Sequence, residues 1–174
     1  MDRETFPPAS PPEIDLPRLR ASIERHEGRR RRPYKDSEGV LTVGVGHNLE
    51  VEIMARSWSD SEIDRLLGGD IAAAAAGAKT LVSAAAWRGL GAARREVLVE
   101  MVFQLGRSGV RGFRRFREAL EAGDYEWAAG EMLWRKWRRG LPPLRRSLWR
   151  LQTPARCERL AEIMRTGTFR VSKN

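Results

Sequence analysis

One change of hydrophobic period, early in the chain, constrains the fold more than any other feature. Leu16, Leu19 and Ile23 recur at helical spacing, with Asp15 as a cap, Pro17 in the first turn and Gly28 as a stop. From Arg32 to Leu49 the pattern switches. Tyr34-Lys35-Asp36 leads into the turn sequence Ser37-Glu38-Gly39, followed by Val40-Leu41-Thr42-Val43-Gly44-Val45-Gly46-His47. β-Branched residues bounded by glycine predict a hairpin. Gly44 and Gly46 weaken a strand, so they mark close backbone approach.

Everything after this reads helical. Ser59 and Glu62 form a capping box ahead of a helix through the alanine-rich segment, which implies close packing against neighbours. Val97, Leu98, Met101, Val102 and Leu105 share a helix that Gly106 should end. Asp124 caps a helix carrying Trp127, Met132, Leu133 and Trp134. Thr153-Pro154 opens a last helix with Leu160, Ile163 and Met164, stopping at Gly167. The expected fold class is α+β and mainly helical, with a small N-terminal β-hairpin region (32–49) and a larger helical lobe (59–170). Residues 1–14 hold four prolines and read as an extended arm, leaving 15–174 as a single domain.

Composition narrows the partners. With 174 residues and a net charge of +9, the chain suits a polyanion: nucleic acid, anionic lipid or a carboxylate-rich cell wall. No apolar run approaches the roughly eighteen residues that cross a membrane. The opening MDRETFPPASPPEIDLP has no apolar signal core, so cytoplasmic accumulation is expected. The single cysteine, Cys157, excludes an intramolecular disulfide and reads as a small core residue. His26 and His47 have no ligand partner at metal-site spacing, and no cofactor is implied. The arginines are spread along the chain without a nucleic-acid-reading motif.

The chemistry centres on Glu27. It follows Ile23 by four residues, on the apolar face, where a solvated helix end would not place an acid. Glycosidic hydrolysis needs one carboxylic acid to protonate the departing oxygen and a second carboxylate to assist water or attack carbon. Glu27 at the end of an apolar stripe and Asp36 at a polar hairpin mouth offer two different environments for such a pair. The Thr42 hydroxyl is suited to holding a water. Spacing alone leaves open a capping Asp and an ordinary surface Glu.

The segment from Glu27-Gly28 through Tyr34-Lys35-Asp36-Ser37-Glu38-Gly39 to Leu41-Thr42-Val43-Gly44-Val45-Gly46-His47 resembles the catalytic region of the lysozymes of T-even bacteriophages and related phage endolysins, glycoside hydrolase family 24. That signature is Glu, eight residues, Asp, five residues, Thr, matched here by Glu27, Asp36 and Thr42 without a gap. Met101-Val102-Phe103-Gln104-Leu105-Gly106 and Gly109-Val110-Arg111-Gly112-Phe113 are similar to the central helix and the turn after it. Gln152-Thr153-Pro154-Ala155-Arg156 and Arg165-Thr166-Gly167-Thr168-Phe169 are similar to the closing motifs. The likeness runs from about residue 16 to 170.

The resemblance implies a muramidase that cleaves the β-1,4 bond between N-acetylmuramic acid and N-acetylglucosamine in bacterial peptidoglycan, with inversion. Glu27 would be the general acid, Asp36 the carboxylate activating water, Thr42 the residue positioning it, and Arg156 the partner of the acid. Arg156 in the first turn of a capped helix is misplaced for the helix dipole unless it has such a partner. Gly46, Asn48, Phe103 and Gln104 would contact substrate, and His47 and Asp70 would form a structural ion pair. A monomer is expected, held in the host cytoplasm until a separate lysis factor releases it to the wall. The rivals are a lytic transglycosylase, which needs neither Asp36 nor Thr42, and a non-catalytic basic binder.

Two departures stand out. The chain between His47 and Asp70 is shorter than in the T-even enzymes, and residues 138–150 form an addition before Gln152. In that addition Leu141, Leu144 and Leu148 with Trp149 make an apolar face flanked by arginines. It is either an extra helix packed on the lobe or an element engaging an anionic envelope surface. Phe116 and Glu131 stand where the family presents polar sugar contacts.

Overall fold

The computed structural model describes residues 13–35, 39–49, 56–135 and 145–169. Helix α1 (Leu16–Glu27) starts and ends on its own sequence signals. The Asp15 carboxylate accepts the Arg18 N–H at 3.1 Å, and Gly28 closes the helix at φ 74°. Leu19 and Ile23 turn inward, which carries Glu27 to the end of the same face.

The β region starts two residues earlier than expected and has three antiparallel strands: β1 (Arg30–Lys35), β2 (Leu41–Gly44) and β3 (His47–Asn48). Tyr34 pairs with Thr42 and Lys35 with Leu41; Thr42 then pairs with Asn48 and Val43 with His47. The β1 register shifts between Arg30 and Tyr34, where Pro33 has no N–H to give the ladder. Gly44 has φ 66°, and a Cβ there would lie 2.9 Å from Ile63 Cγ2. Close approach of the following helix, rather than of a ligand, therefore requires glycine at this position.

That helix is α2 (Asp60–Lys79), opened by the capping box of Ser59 and Glu62. Its alanines are not uniformly packed: Ala74 and Ala78 are buried, whereas Ala72, Ala73 and Ala76 are exposed. Gly77 admits α4, since a Cβ there would lie 3.3 Å from Val102 Cγ1. The rest of the lobe comprises α3 (Ala84–Gly89), α4 (Gly91–Arg111), α5 (Arg114–Glu121), α6 (Tyr125–Leu133), β4 (Trp134–Arg135), β5 (Arg145–Arg146), α7 (Leu148–Gln152) and α8 (Pro154–Thr166). One core joins α1 to this lobe through Ile23, Leu67, Leu98, Met101, Leu160 and Met164. The architecture is α+β and mainly helical, as expected.

Gly106 leaves helical geometry (φ 68°, ψ 160°) and ends the first helical run as expected; a second run follows it to Arg111, anchored by the fully buried Val110. Two local expectations change. Thr153 does not cap α8 with its hydroxyl, which donates instead to Trp149 O at 3.2 Å. The described part of the addition, residues 145–150, holds strand β5, paired with β4 ahead of the addition, and the start of the short helix α7. Trp149 is buried there, whereas Leu148 is 65% exposed, so they do not share one apolar face. Leu141 and Leu144 lie outside the described residues. The expected arm also falls mostly outside them; of its last residues, Glu13 receives Lys79 Nζ at 3.0 Å and the Trp87 indole N–H at 2.7 Å.

Candidate active site

Glu27 ends α1 with its side chain about a quarter exposed. Arg156, the third residue of α8, is 4% exposed and places Nη1 2.5 Å from Glu27 Oε1. The two are 129 residues apart in sequence, and the packing of α8 across α1 and α4 brings them together. Gly46, in the turn between β2 and β3, faces the same acid: a Cβ there would sit 3.7 Å from Glu27 Oε2. That is ordinary contact distance, and it is the φ of 75° that favours glycine at this turn.

Behind Arg156 lies a buried charge network. Its Nε donates to Glu100 Oε1 at 3.1 Å, and Glu100 also accepts Ser22 Oγ–H at 2.6 Å. Arg159 Nη2 lies 3.5 Å from Glu100 Oε2 and bonds Ser22 Oγ, while His26 Nε2 lies 4.0 Å from Glu100. Burial, aided by the Arg156 charge, holds His26 below the ordinary imidazole value.

Thr42 is buried in β2; its hydroxyl donates to Val40 O at 3.1 Å and lies 3.5 Å from Asn48 Oδ1. Asp36 lies outside the described residues, just beyond Lys35, which closes β1 opposite Leu41. His47 Nδ1 lies 2.8 Å from Asp70 Oδ2, joining β3 to α2. Gly46, His47, Asn48, Asp70 and Phe103 line one open cavity of about 500 Å³, floored by Ala73, Ala74 and Gly77 of α2. The small residues of α2 leave this space between the sheet and α4. Arg107 lends it a positive charge.

Gln104, although adjacent to Phe103, is engaged elsewhere: its Oε1 accepts the Trp149 indole N–H at 2.8 Å. Trp149, edge-on to Phe113, helps wall a second cavity of about 570 Å³ with Phe116, Trp134 and Glu131. Burial pushes the Glu131 carboxyl above its ordinary value despite the Trp127 indole donor at 3.2 Å. Among the described residues, no group of three or more His, Cys, Asp or Glu is arranged to hold a metal ion. Sequence reasoning missed Glu100, Ser22, Arg159 and Arg107, and it placed Trp149 on an apolar face of the addition rather than against Gln104. Only Glu100 carried a signal: an acid flanked by Val99 and Met101 in an otherwise apolar helix segment.

Such a site, a partly exposed acid held by a buried arginine and facing a glycine that lines an open cavity, fits acid-assisted bond cleavage. A family model described as phage lysozyme matches residues 24–147. Probable T4-type lysozyme 2 of Dictyostelium discoideum is 26% identical over 178 residues, covering 89% of this chain and 98% of that protein. Probable T4-type lysozyme 1 of the same organism is 25% identical with the same coverage. The pre-baseplate central spike protein Gp5 of Enterobacteria phage T4 is 28% identical over 173 residues, covering 84% of this chain but 27% of that protein. The fold, the family match over most of the chain and relatives aligned almost end to end agree: this chain belongs to the phage lysozyme family and is a lysozyme-like peptidoglycan hydrolase.

Proposed function

We propose that the protein is a muramidase that hydrolyses the β-1,4 bond between N-acetylmuramic acid and N-acetylglucosamine, with Glu27 as general acid. The observation that carries this reading is the Glu27–Arg156 contact at 2.5 Å, with the Gly46 backbone turn on the acid's other side. Such a carboxyl is oriented by the protein yet open enough to reach a glycosidic oxygen.

In the reaction the protonated Glu27 carboxyl gives its proton to the leaving oxygen as the C1–O bond breaks. Asp36 takes a proton from the water that attacks C1, and Thr42 holds that water. The proton then returns to Glu27, so the cycle neither gains nor loses charge. The water attacks from the face opposite the leaving group, which inverts C1. That outcome requires carboxyl groups about 6.5–9.5 Å apart, whereas about 5 Å would favour retention. Gly46, Asn48, Phe103 and Gln104 contact the glycan or its peptide, and the His47–Asp70 pair braces the sheet against α2. Among the described residues no helix is long and apolar enough to cross a membrane. In this reading, access to the wall from the host cytoplasm depends on a separate lysis factor.

Mass spectrometry of the muropeptides released from purified Gram-negative peptidoglycan tests the reading. Hydrated reducing-end muramic products are expected. Anhydro products would make the protein a lytic transglycosylase, and no products from folded protein would leave a basic wall-binding protein.

A further inference from the structure

We propose that Glu100 is a positioning residue for the acid: it holds Arg156 by Nε so that Nη1 meets Glu27, and it remains the counter-ion of Arg156 when Glu27 carries its proton. This rests on Glu27 being the acid.

A general acid must be protonated when substrate binds, yet Glu27 touches a guanidinium that is 4% exposed. A buried arginine without a carboxylate is costly, so the Arg156 charge needs a second partner for any step in which Glu27 is neutral. Glu100 relieves this. It is 3% exposed, comes from α4 rather than from the cleft, and bonds the Arg156 Nε at 3.1 Å. Protonating Glu27 therefore leaves Arg156 paired. The same bond fixes the guanidinium plane, because turning it about Cδ–Nε would move Nη1 off Glu27 and direct a donor away from Glu100.

The groups facing this cluster are Ser22, Arg25 and His26 from α1 and Arg159 from α8. Ser22 and Arg159 both approach Glu100 Oε2, while Oε1 accepts from Arg156 and has His26 Nε2 4.0 Å away. The same helix supplies a contrast one turn earlier. Glu96 is equally buried, but it accepts Arg18 and the Asp15 N–H at the far end of α1, away from Glu27. It ties α1 to α4 without touching Arg156.

The test is the pH–rate profile of reducing-end release from purified peptidoglycan. In Glu100→Gln, which keeps the side-chain volume, the alkaline limb should move down by about one pH unit, with kcat at neutral pH about tenfold lower and apparent KM within about twofold. Combined with Arg156→Gln, the loss should be much less than the product of the two single losses, because Glu100 acts through Arg156. Arg159→Gln should move the limb up, since it removes a competing cation. Glu96→Gln should lower the melting temperature and leave the limb in place. A folded Glu100→Gln with the parent profile, or losses that multiply fully with Arg156→Gln, would overturn the proposal. If Glu100→Gln does not fold, an Arg159→Gln limb that stays put or moves down overturns it instead. An active Glu27→Gln refutes the reading of the acid itself, independently of these results.

Discussion

Replacing Gly44 by alanine should cost about 2–4 kcal/mol. Two contributions add. An L-residue at φ 66° costs about 1–2 kcal/mol. A new Cβ 2.9 Å from Ile63 Cγ2 must displace a β-branched side chain that is 1% exposed in the α2 core. Overpacking of that kind costs about 1–3 kcal/mol, and the lower half of that range applies if α2 shifts slightly. For a chain of this size the sum corresponds to a melting temperature lower by roughly 5–15 °C. Thr42 lies two residues away on the same strand, so activity should also fall at temperatures where the fold persists. Urea unfolding of Gly44→Ala, Ile63→Ala and the double variant separates the contributions. Removing the Ile63 branch should recover the steric part and leave the φ part, making the double variant about 1–2 kcal/mol less destabilised than the sum of the singles. A Gly44→Ala change within about 0.5 kcal/mol of the parent, or strict additivity, would refute the packing argument.

Further outcomes follow from the same contacts. Trp149→Phe removes the indole N–H bonded to Gln104 and should destabilise by about 1 kcal/mol in denaturant titration, with the glutamine carbonyl left to find water. Cys157 is fully buried, its Sγ 3.4 Å from Met132 O, and burial pushes its thiol up to about 12. Iodoacetamide at pH 8 should therefore label it only after unfolding. The native state keeps the thiol proton that the unfolded chain loses, so this contribution to stability fades between about pH 8.5 and pH 12, as melting curves of parent and Cys157→Ala should reveal. His26, held below the ordinary imidazole value by burial and Arg156, has the opposite sign: stability present above about pH 6.5 is lost as pH falls and the native state must take up a proton. His26→Gln should flatten that part of the curve; equal slopes would show that His26 is not its source.

How much of this was legible depended on whether the signal was local. Glu27 could be read because an acid at the end of the Leu19–Ile23 stripe conflicts with a solvated helix end, and the family motif resolved the conflict. The Asp15 cap, the Ser59–Glu62 box and the Gly28 stop are governed by neighbouring residues, and the helix starts follow them. The Gly106 stop is local in the same way, whereas the further helical run to Arg111 depends on Val110 and its place in the distant core. Thr153 and Trp149 are coupled to each other, and that coupling diverts the hydroxyl from the cap. Gly44 signalled close approach correctly, though not that Ile63 is what approaches, whereas Gly46 is needed for its φ of 75° and meets Glu27 only at ordinary contact distance. Glu100 was visible only as an anomaly. Its partners lie 56 and 78 positions away, on α8 and α1, and only the packing of three helices unites them.

The central claim is that Glu27 supplies the proton for bond cleavage, and the most direct measurement is the rate of reducing-end release by Glu27→Gln. The carboxamide keeps the shape and an oxygen for Arg156 Nη1, but it has no acidic proton. With circular dichroism and melting showing an intact fold, the rate should fall by at least about a hundredfold at every pH. A folded Glu27→Gln within about tenfold of the parent would contradict the account and move the acid to another residue.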